Sequence, residues 1–575
     1  MQKEIYKVAG IEAKISEPDR PENGDFSTNV AFLPAKSSGR KPQEIAKEIK
    51  EKLSASKSLQ NYVEKIEVAG GGFINFYLSR QVFIDNLADI LKLKDKFGRN
   101  ENMQGKKVIV EYTDPNLFKE FHIGHLMSNI IGESLTRIVE FSGAEVKRAN
   151  YQGDVGIHVV YAFANLLREI KEAGSFDNWT QGLSDEEIAR KIFKTLDYSY
   201  GFKRAQENEE FREAAKTINK KIYDRSDPTV TKIYDIAKKA SLAYFKTVYG
   251  IIGMKKLDNG EYFDYYFLES DTGEKGKEIV DEGLKKGIFE KSDGATVFRG
   301  EKYGLHTRVF INRDGLPTYE AKELGLAVIK HAQYPFDTSL VVTGNEIVEY
   351  FKVVLEAEKQ LYPDIAVKTK HIPHGMLRVP SGKMSSRTGD VITAEALYDE
   401  VKKRILEKIN ESKNVSIEDQ KRDDIADKIT LGAIKYSILH QSIGSDIIFD
   451  FDTSLSFEGA SGPYIQYSHA RAMSVLEKGR RNNLTPSLKN PHPVFSLERI
   501  LFKFPDVVFR TQSEYDPHYL CTYLFYLAKE FNNFYEHERI IDSDYAPYRL
   551  ALAEAVATTI KNGLWLLGIS APEKM

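Results

Sequence analysis

The stretch that most constrains this chain lies at residues 108–143, where VIVEYT is followed by DPNLFKEFHIGH and then by Leu126, Ile130, Leu135, Ile138 and Val139 at three- and four-residue spacing. A short β-branched run suits a buried parallel strand, the Pro-Asn pair breaks it, and the spacing beyond predicts a helix. Strand, turn and helix in that order open a nucleotide-binding α/β unit. The helix start offers unpaired N–H groups and a positive dipole end, which favour phosphate. Gly124 lets a ligand come close to the backbone there, and His122 and His125 add directed hydrogen-bond donors.

The rest of the chain is organised around that unit. Residues 1–100 read as an N-terminal α+β domain, with a helical stretch near Pro42 to Leu53 and a β-like run through Ile66, Val68, Gly70, Gly71, Gly72, Phe73, Ile74, Asn75 and Phe76. The polar, aperiodic segment 96–107 reads as a linker. The catalytic α/β domain is expected over 105–395. A second strand candidate at 145–149 leads into YQGDVG, and a charged helical insertion over about 165–300 then splits the sheet. The strand-like runs TRVFI and SLVVTG, with the helix TYEAKELGLAVIKHA between them, resume the α/β alternation. A helical region at 396–455 precedes an all-α bundle at 456–575. There Leu520, Tyr523, Leu524, Leu527, Phe531 and Phe534, then Leu552, Val556, Ile560, Leu564 and Leu567, repeat every three or four residues.

At 575 residues the chain exceeds what one core usually supports, so several domains are expected. No apolar run approaches the roughly 18 residues of a membrane span, and the first residues mix both charge signs without an apolar core, so a cytoplasmic location is expected. The single cysteine, Cys521, excludes an intrachain disulfide and zinc sites built from two or more thiolates. Its apolar neighbours mark it as a buried structural thiol. A net charge of −3 decides nothing about nucleic acid, because a basic face can coexist with an acidic remainder.

A second motif stands some 260 residues after the first: Lys383-Met384-Ser385-Ser386-Arg387 within PSGKMSSRTGD, a polar loop with a cation at each end. Such a loop can close over a triphosphate and supply charge as pyrophosphate leaves. The pair resembles the HIGH and KMSKS signatures of class I aminoacyl-tRNA synthetases. A chance HIGH tetrapeptide has odds on the order of one in a thousand in a chain of this length. The resemblance to arginyl-tRNA synthetases spans nearly the whole chain: NGDFSTNVAF, GGFINFYLS, the Pro-Asn-x-x-Lys lead into HIGH, GDVG, TYEAKELG, GPYIQYSHAR and the final LGISAPEKM.

That resemblance implies an arginine-tRNA ligase that forms arginyl-adenylate from L-arginine and ATP with Mg2+, then esterifies the 3′ adenosine of tRNA(Arg), with no zinc or organic cofactor and as a monomer. His122, Gly124, His125, Lys119, Lys383, Ser385 and Arg387 are the implied catalytic residues. Met384 joins His122, Gly124, His125 and Lys383 at ATP. A missing second KMSKS lysine, here Ser386, is a family habit for which a lysine upstream of HIGH, here Lys119, is thought to compensate. Tyr319, Glu323 and Glu269 should surround the guanidinium, Asn116 should hold the α-amino end, and Glu346 is a further arginine contact. A guanidinium is planar, always charged and best held by carboxylates with an aromatic alongside, which suits this set. Asn75 matches a position for the tRNA D-loop, the 396–455 region should contact a tRNA stem, and the C-terminal bundle should bind the anticodon as a region; aromatics such as Tyr464, Tyr467 and Tyr535 could stack on bases there, but most of them are expected to be core. The chain departs from the family pattern at Glu323 (usually Asp), Val155 (Trp), Asp114 (Ser) and Ile347 (Gln). The alternatives are a lysine or glutamine class I enzyme, a small-molecule nucleotidyltransferase, or a catalytically silent synthetase-like RNA-binding protein.

Overall fold

The computed structural model describes residues 1–18, 20–196, 198–379, 392–411, 419–489, 491 and 494–575. The N-terminal region carries a four-stranded antiparallel sheet of β1 (Ile15–Ser16), β2 (Phe26–Thr28), β3 (Val63–Ala69) and β4 (Phe73–Leu78), in the order β1-β2-β4-β3. The β3–β4 turn uses Gly72 at φ 129°, where a Cβ would lie 2.8 Å from the Pro42 side chain, so only glycine fits. Ile45, Ile49 and Leu53 of the helix Pro42–Ser54 pack on Ile74 and Phe76 beneath it.

The central sheet is parallel and five-stranded. It comprises β5 (Lys107–Glu111), β6 (Glu145–Gln152), β7 (Tyr265–Leu268), β11 (Thr338–Gly344) and β12 (Thr369–His374), in the order β12-β11-β5-β6-β7. The chain moves outward from β5 through β6 to β7, then returns to place β11 on the other flank of β5, with Val108 opposite Val146 on one side and Thr338 on the other. Ligands of such sheets bind outside the carboxyl ends of the strands where the order reverses. The candidate residues at 116–125 follow β5, Val155 follows β6, Glu269 follows β7 and Glu346 follows β11, all at that edge, whereas Tyr319 and Glu323 ride the helix Tyr319–Gln333 leading into β11.

Two strand readings are corrected. The sheet resumes at Tyr265, inside the stretch read as helical insertion, and the intervening helices run from Ile157 to Ile251. The run at 307–311 does not rejoin the parallel sheet. Arg308–Ile311 is β10 of a separate antiparallel sheet with β8 (Glu290–Ser292) and β9 (Ala295–Phe298), because Arg308 and Val309 pair with Phe298 and Val297. Chain proximity decides this pairing: β9 is only ten residues away, and a short loop closes at little entropic cost.

After Ile448 the described residues contain helices and no strand; Gly462–Arg481, Phe504–Glu514, His518–His537 and Ala546–Leu566 are the longest. Cys521 is fully buried among them, and burial drives its thiol pKa upward, in keeping with a packing role. The N-terminal region docks on this bundle through Arg80–Glu498 at 2.9 Å, Arg499–Asp25 at 2.7 Å and the Phe83–Phe502 ring contact. The helix Ile123–Phe141 touches the residues near 566 as well. Ser134 Oγ donates to the Leu566 carbonyl and Arg137 to the Trp565 carbonyl, each at 3.0 Å, while Lys435 donates to the Gly568 carbonyl at 2.8 Å. No helix of the described residues is long and apolar enough to cross a membrane.

Candidate active site

The turn leaving β5 is strained. Thr113, Asp114 and Phe118 adopt φ of 84°, 42° and 63°, a region that side chains with a Cβ rarely enter. Hydrogen bonds over-determine it. The Thr113 N–H donates to Ser128 Oγ at 3.0 Å, Asn129 Nδ2 to Thr113 Oγ1 at 2.9 Å, the Tyr151 N–H to Asp114 Oδ1 at 2.7 Å, and the Phe121 N–H to Tyr244 Oη at 3.1 Å. Asp114, one of the departures, thus ties the end of β5 to β6.

At the end of this turn His122 caps the helix Ile123–Phe141. Its Nδ1 accepts the N–H groups of Gly124 at 3.1 Å and His125 at 3.4 Å, and the His122 N–H donates to His125 Nδ1 at 3.3 Å. The two rings stack with centroids 3.7 Å apart. A Cβ on Gly124 would lie 2.9 Å from the His122 ring, which explains the glycine. Burial, then neighbouring Lys119, holds His122 down to about 4, and burial also takes His125 well below the ordinary histidine range. Both rings are therefore neutral at physiological pH. With each Nδ1 accepting a backbone N–H, the ring proton belongs on Nε2, so the motif presents two neutral N–H donors. Burial likewise lowers the Lys119 ammonium, and Lys119 lies within electrostatic reach of His122, His125 and His158.

The candidate residues Lys383, Met384, Ser385 and Arg387 lie outside the described residues. The chain that follows returns to the histidine turn: the Ile123 N–H donates to the Ile392 carbonyl at 3.1 Å, and the Ala394 N–H to the Phe121 carbonyl at 2.8 Å.

The acidic pocket is assembled by two helices in unusually close contact. A Cβ on Gly276 would lie 1.9 Å from the Ala321 carbonyl oxygen, and one on Gly325 would lie 2.1 Å from that of Thr272. Glycine at both positions lets Glu269–Lys285 and Tyr319–Gln333 touch backbone to backbone, which sets Glu269 beside Lys322 and Glu323. Asn116 reaches the same place. It bridges to Gly153, where an added Cβ would meet Asn116 Oδ1 at 2.1 Å and Glu269 Oε1 at 3.1 Å. The structure thus brings Asn116, Glu269, Tyr319 and Glu323 together. Glu346 stands apart: its carboxylate folds over Gly344, and among the described residues no hydrogen bond or ion pair ties it to Glu269 or Glu323.

The two pocket acids differ. Glu269 Oε2 is 2.6 Å from Lys322 Nζ, and both side chains are buried. Glu323 has no hydrogen-bond or ion-pair partner among the described residues; burial, then repulsion from Glu111, pushes it up to about 8. Glu111 is itself engaged by Lys330. Tyr151 and Tyr350 face both acids and so belong to the pocket, and the Lys322 ammonium lies 5.1 Å from the centre of the Tyr319 ring. Sequence reading missed Lys322, Tyr151 and Tyr350. For Lys322 the signal was present in TYEAKELG, one residue before Glu323.

Away from the cleft, Asn75 sits within β4, 4% exposed, with its Oδ1 accepting from Ser27 Oγ at 2.7 Å. On the C-terminal bundle the Arg471 guanidinium lies 4.8 Å from the Tyr467 ring centre and 4.9 Å from that of Tyr535, and both rings are open to solvent.

Comparison with known proteins agrees along the whole length. Residues 86–451 match the model described as tRNA synthetases class I (R), catalytic domain; residues 465–575 match the DALR anticodon binding domain and residues 2–78 the arginyl tRNA synthetase N terminal domain. An arginine–tRNA ligase of Clostridium kluyveri is 33% identical over 98% of this chain and 96% of its own length. The fold is shared with the arginyl-tRNA synthetase of Thermus thermophilus (TM-score 0.77, 23% identity, 100% of this chain and 99% of that one) and with that of Plasmodium falciparum (0.78, 20%, 100% and 97%). With a class I (R) catalytic-domain match over residues 86–451 and a relative 33% identical along nearly its whole length, the chain belongs to the arginyl-tRNA synthetases.

Proposed function

We propose that the chain ligates L-arginine to tRNA(Arg) in two steps, with MgATP as co-substrate. The arginine carboxylate attacks the α-phosphate and pyrophosphate departs; a ribose hydroxyl of the 3′-terminal adenosine then attacks the adenylate's carbonyl carbon, forming the ester and releasing AMP and a proton. No general base is needed in the first step; catalysis is positioning and stabilisation of phosphoryl charge. The observation that carries this reading is the pairing, in one cleft, of two neutral N–H donors with a half-buried carboxylate, Glu323, that has no hydrogen-bond or ion-pair partner among the described residues. One suits an oxyanion and the other suits a cationic side chain.

In this reading His122 and His125 donate from Nε2 to phosphate oxygens, Gly124 keeps the backbone accessible, and Lys119 supplies charge from the turn. Lys383, with Met384, Ser385 and Arg387, closes from the other side. Glu323 clasps the guanidinium with Tyr319 along its face, Glu269 supports it, Asn116 holds the α-amino end, and Glu346 lies at the rim. The tRNA would lie along Asn75, whose Nδ2 has no hydrogen-bond partner among the described residues, and the Tyr467–Arg471–Tyr535 face, where bases can stack. We also propose a cytoplasmic monomer.

Aminoacylation of total tRNA with arginine, lysine and glutamine tests the substrate. Arginine alone should be charged, and equal charging of lysine would overturn the reading. ATP–pyrophosphate exchange should depend on added tRNA, as the family resemblance implies. Lys383→Ala should lower kcat far more than it raises KM for arginine, since its contact strengthens as pyrophosphate leaves; equal changes in both would count against that role.

A further inference from the structure

Lys322 is a cation inside the proposed arginine pocket to which the proposed function gives no role. Its side chain is 4% exposed and its Nζ sits 2.6 Å from Glu269 Oε2. It also faces Tyr223, which belongs to Glu209–Asp224 of the helical insertion, with the ammonium 5.9 Å from the ring centre. Only one oxygen of Glu269 is engaged in this way. Oε1 has no hydrogen bond among the described residues and lies on the Gly153–Asn116 side.

We propose that Lys322 is a positioning residue for arginine recognition: by gripping one oxygen of Glu269 it keeps that buried carboxylate ionised and turned so that the other oxygen meets the substrate. The inference rests on the proposed arginine pocket. A buried carboxylate without a cation takes up a proton rather than stay charged. The groups around Glu269 make this acute. Asp154 lies beyond Gly153, Glu323 comes from the Tyr319–Gln333 helix, Asp271 sits on its own helix, and Tyr151, Tyr223 and Tyr350 close the walls. Asp154 is already held by Lys238 at 2.6 Å and by Ser270, so Lys238 is not available to Glu269. Lys322 is thus the single described ammonium paired with that carboxylate. Burial drives Glu269 upward, and Lys322 is the counterweight.

The test compares Lys322→Met, Lys322→Arg and the double variant Lys322→Met/Glu269→Gln with the wild type in full aminoacylation, taking KM for arginine across pH. The ratio of variant to wild-type KM removes most of the titration of Glu323, on which Glu269 exerts the weakest of the neighbouring charge effects. For Lys322→Met the ratio should exceed about tenfold near pH 6.5 and fall at least about threefold by pH 8.5, as Glu269 regains its charge without help. The kcat should change less than KM. Lys322→Arg should restore a ratio near one, and the double variant should show a raised but pH-independent ratio. A pH-independent ratio for Lys322→Met, or no rescue by arginine, would overturn the proposal, with thermal melting showing that each variant is folded. Failure of the pocket itself reads differently, because Glu323→Gln would then leave KM for arginine unchanged in an otherwise wild-type enzyme.

Discussion

The two halves of the cleft are built on opposite plans. At the histidine turn each ring Nδ1 has its backbone partner, the rings stack on each other and both stay neutral. In the acidic pocket a carboxylate is left without a partner and its pKa climbs to about 8. A site for an anion can be finished in advance, because fixed N–H dipoles need no counter-charge when empty. A site for a cation needs negative charge, and negative charge withdrawn from water without a cation is costly, so under the proposed function that half is complete only with a cationic substrate in place.

The sharpest way to break this contrast is to remove a donor from the finished half. His125→Ala should lower kcat by about 100- to 1,000-fold, the usual loss for one oxyanion donor, with little change in KM for arginine. Steady-state aminoacylation checks it, and a change confined to KM would place His125 outside the reacting centre. The unfinished half should respond in the other constant. Glu323→Gln removes a charge-assisted hydrogen bond and should raise KM for arginine by about 10- to 100-fold with a smaller effect on kcat.

The smallest effect sharpens the contrast without mutation. Below about pH 8 the empty Glu323 carries a proton that the guanidinium must displace, so KM for arginine should fall as pH rises toward 8, by at most about tenfold per unit, and level off above it. His122, held near 4, gives no titration in that range, so the histidine turn should add no pH dependence of its own to kcat between about pH 6 and 8. A KM profile that stays flat in the wild type would remove the distinction between the halves.

Much of the first half was legible because its determinants are local. Strand, Pro-Asn turn, histidines and helix lie within some thirty residues, and the glycine between the histidines fits only because of the ring two positions before it. The second half depends on packing. Nothing adjacent in sequence says that Lys322 pairs with a carboxylate 53 residues earlier; that follows from two glycines letting two helices touch. The same limit explains the strand errors. Tyr265–Leu268 is a four-residue run of three aromatics and a leucine with no β-branched residue, hidden in a charged stretch, whereas Arg308–Ile311 reads as a strand of the parallel sheet but pairs with its nearest hairpin partner. Asp114 departs from the family pattern, yet its carboxylate does a structural job by accepting the Tyr151 N–H.

The helix Ile123–Phe141 has one more implication. Its 19 residues make a rod of about 28 Å that begins at the histidine turn and, toward its far end, grips the carbonyls of Trp565 and Leu566. A rod clamped at both ends transmits displacement instead of absorbing it. If the last helices tilt, the histidine turn at the opposite tip must travel with them or the Ser134 and Arg137 bonds must part, so the two ends of this helix share a single stiff mechanical element.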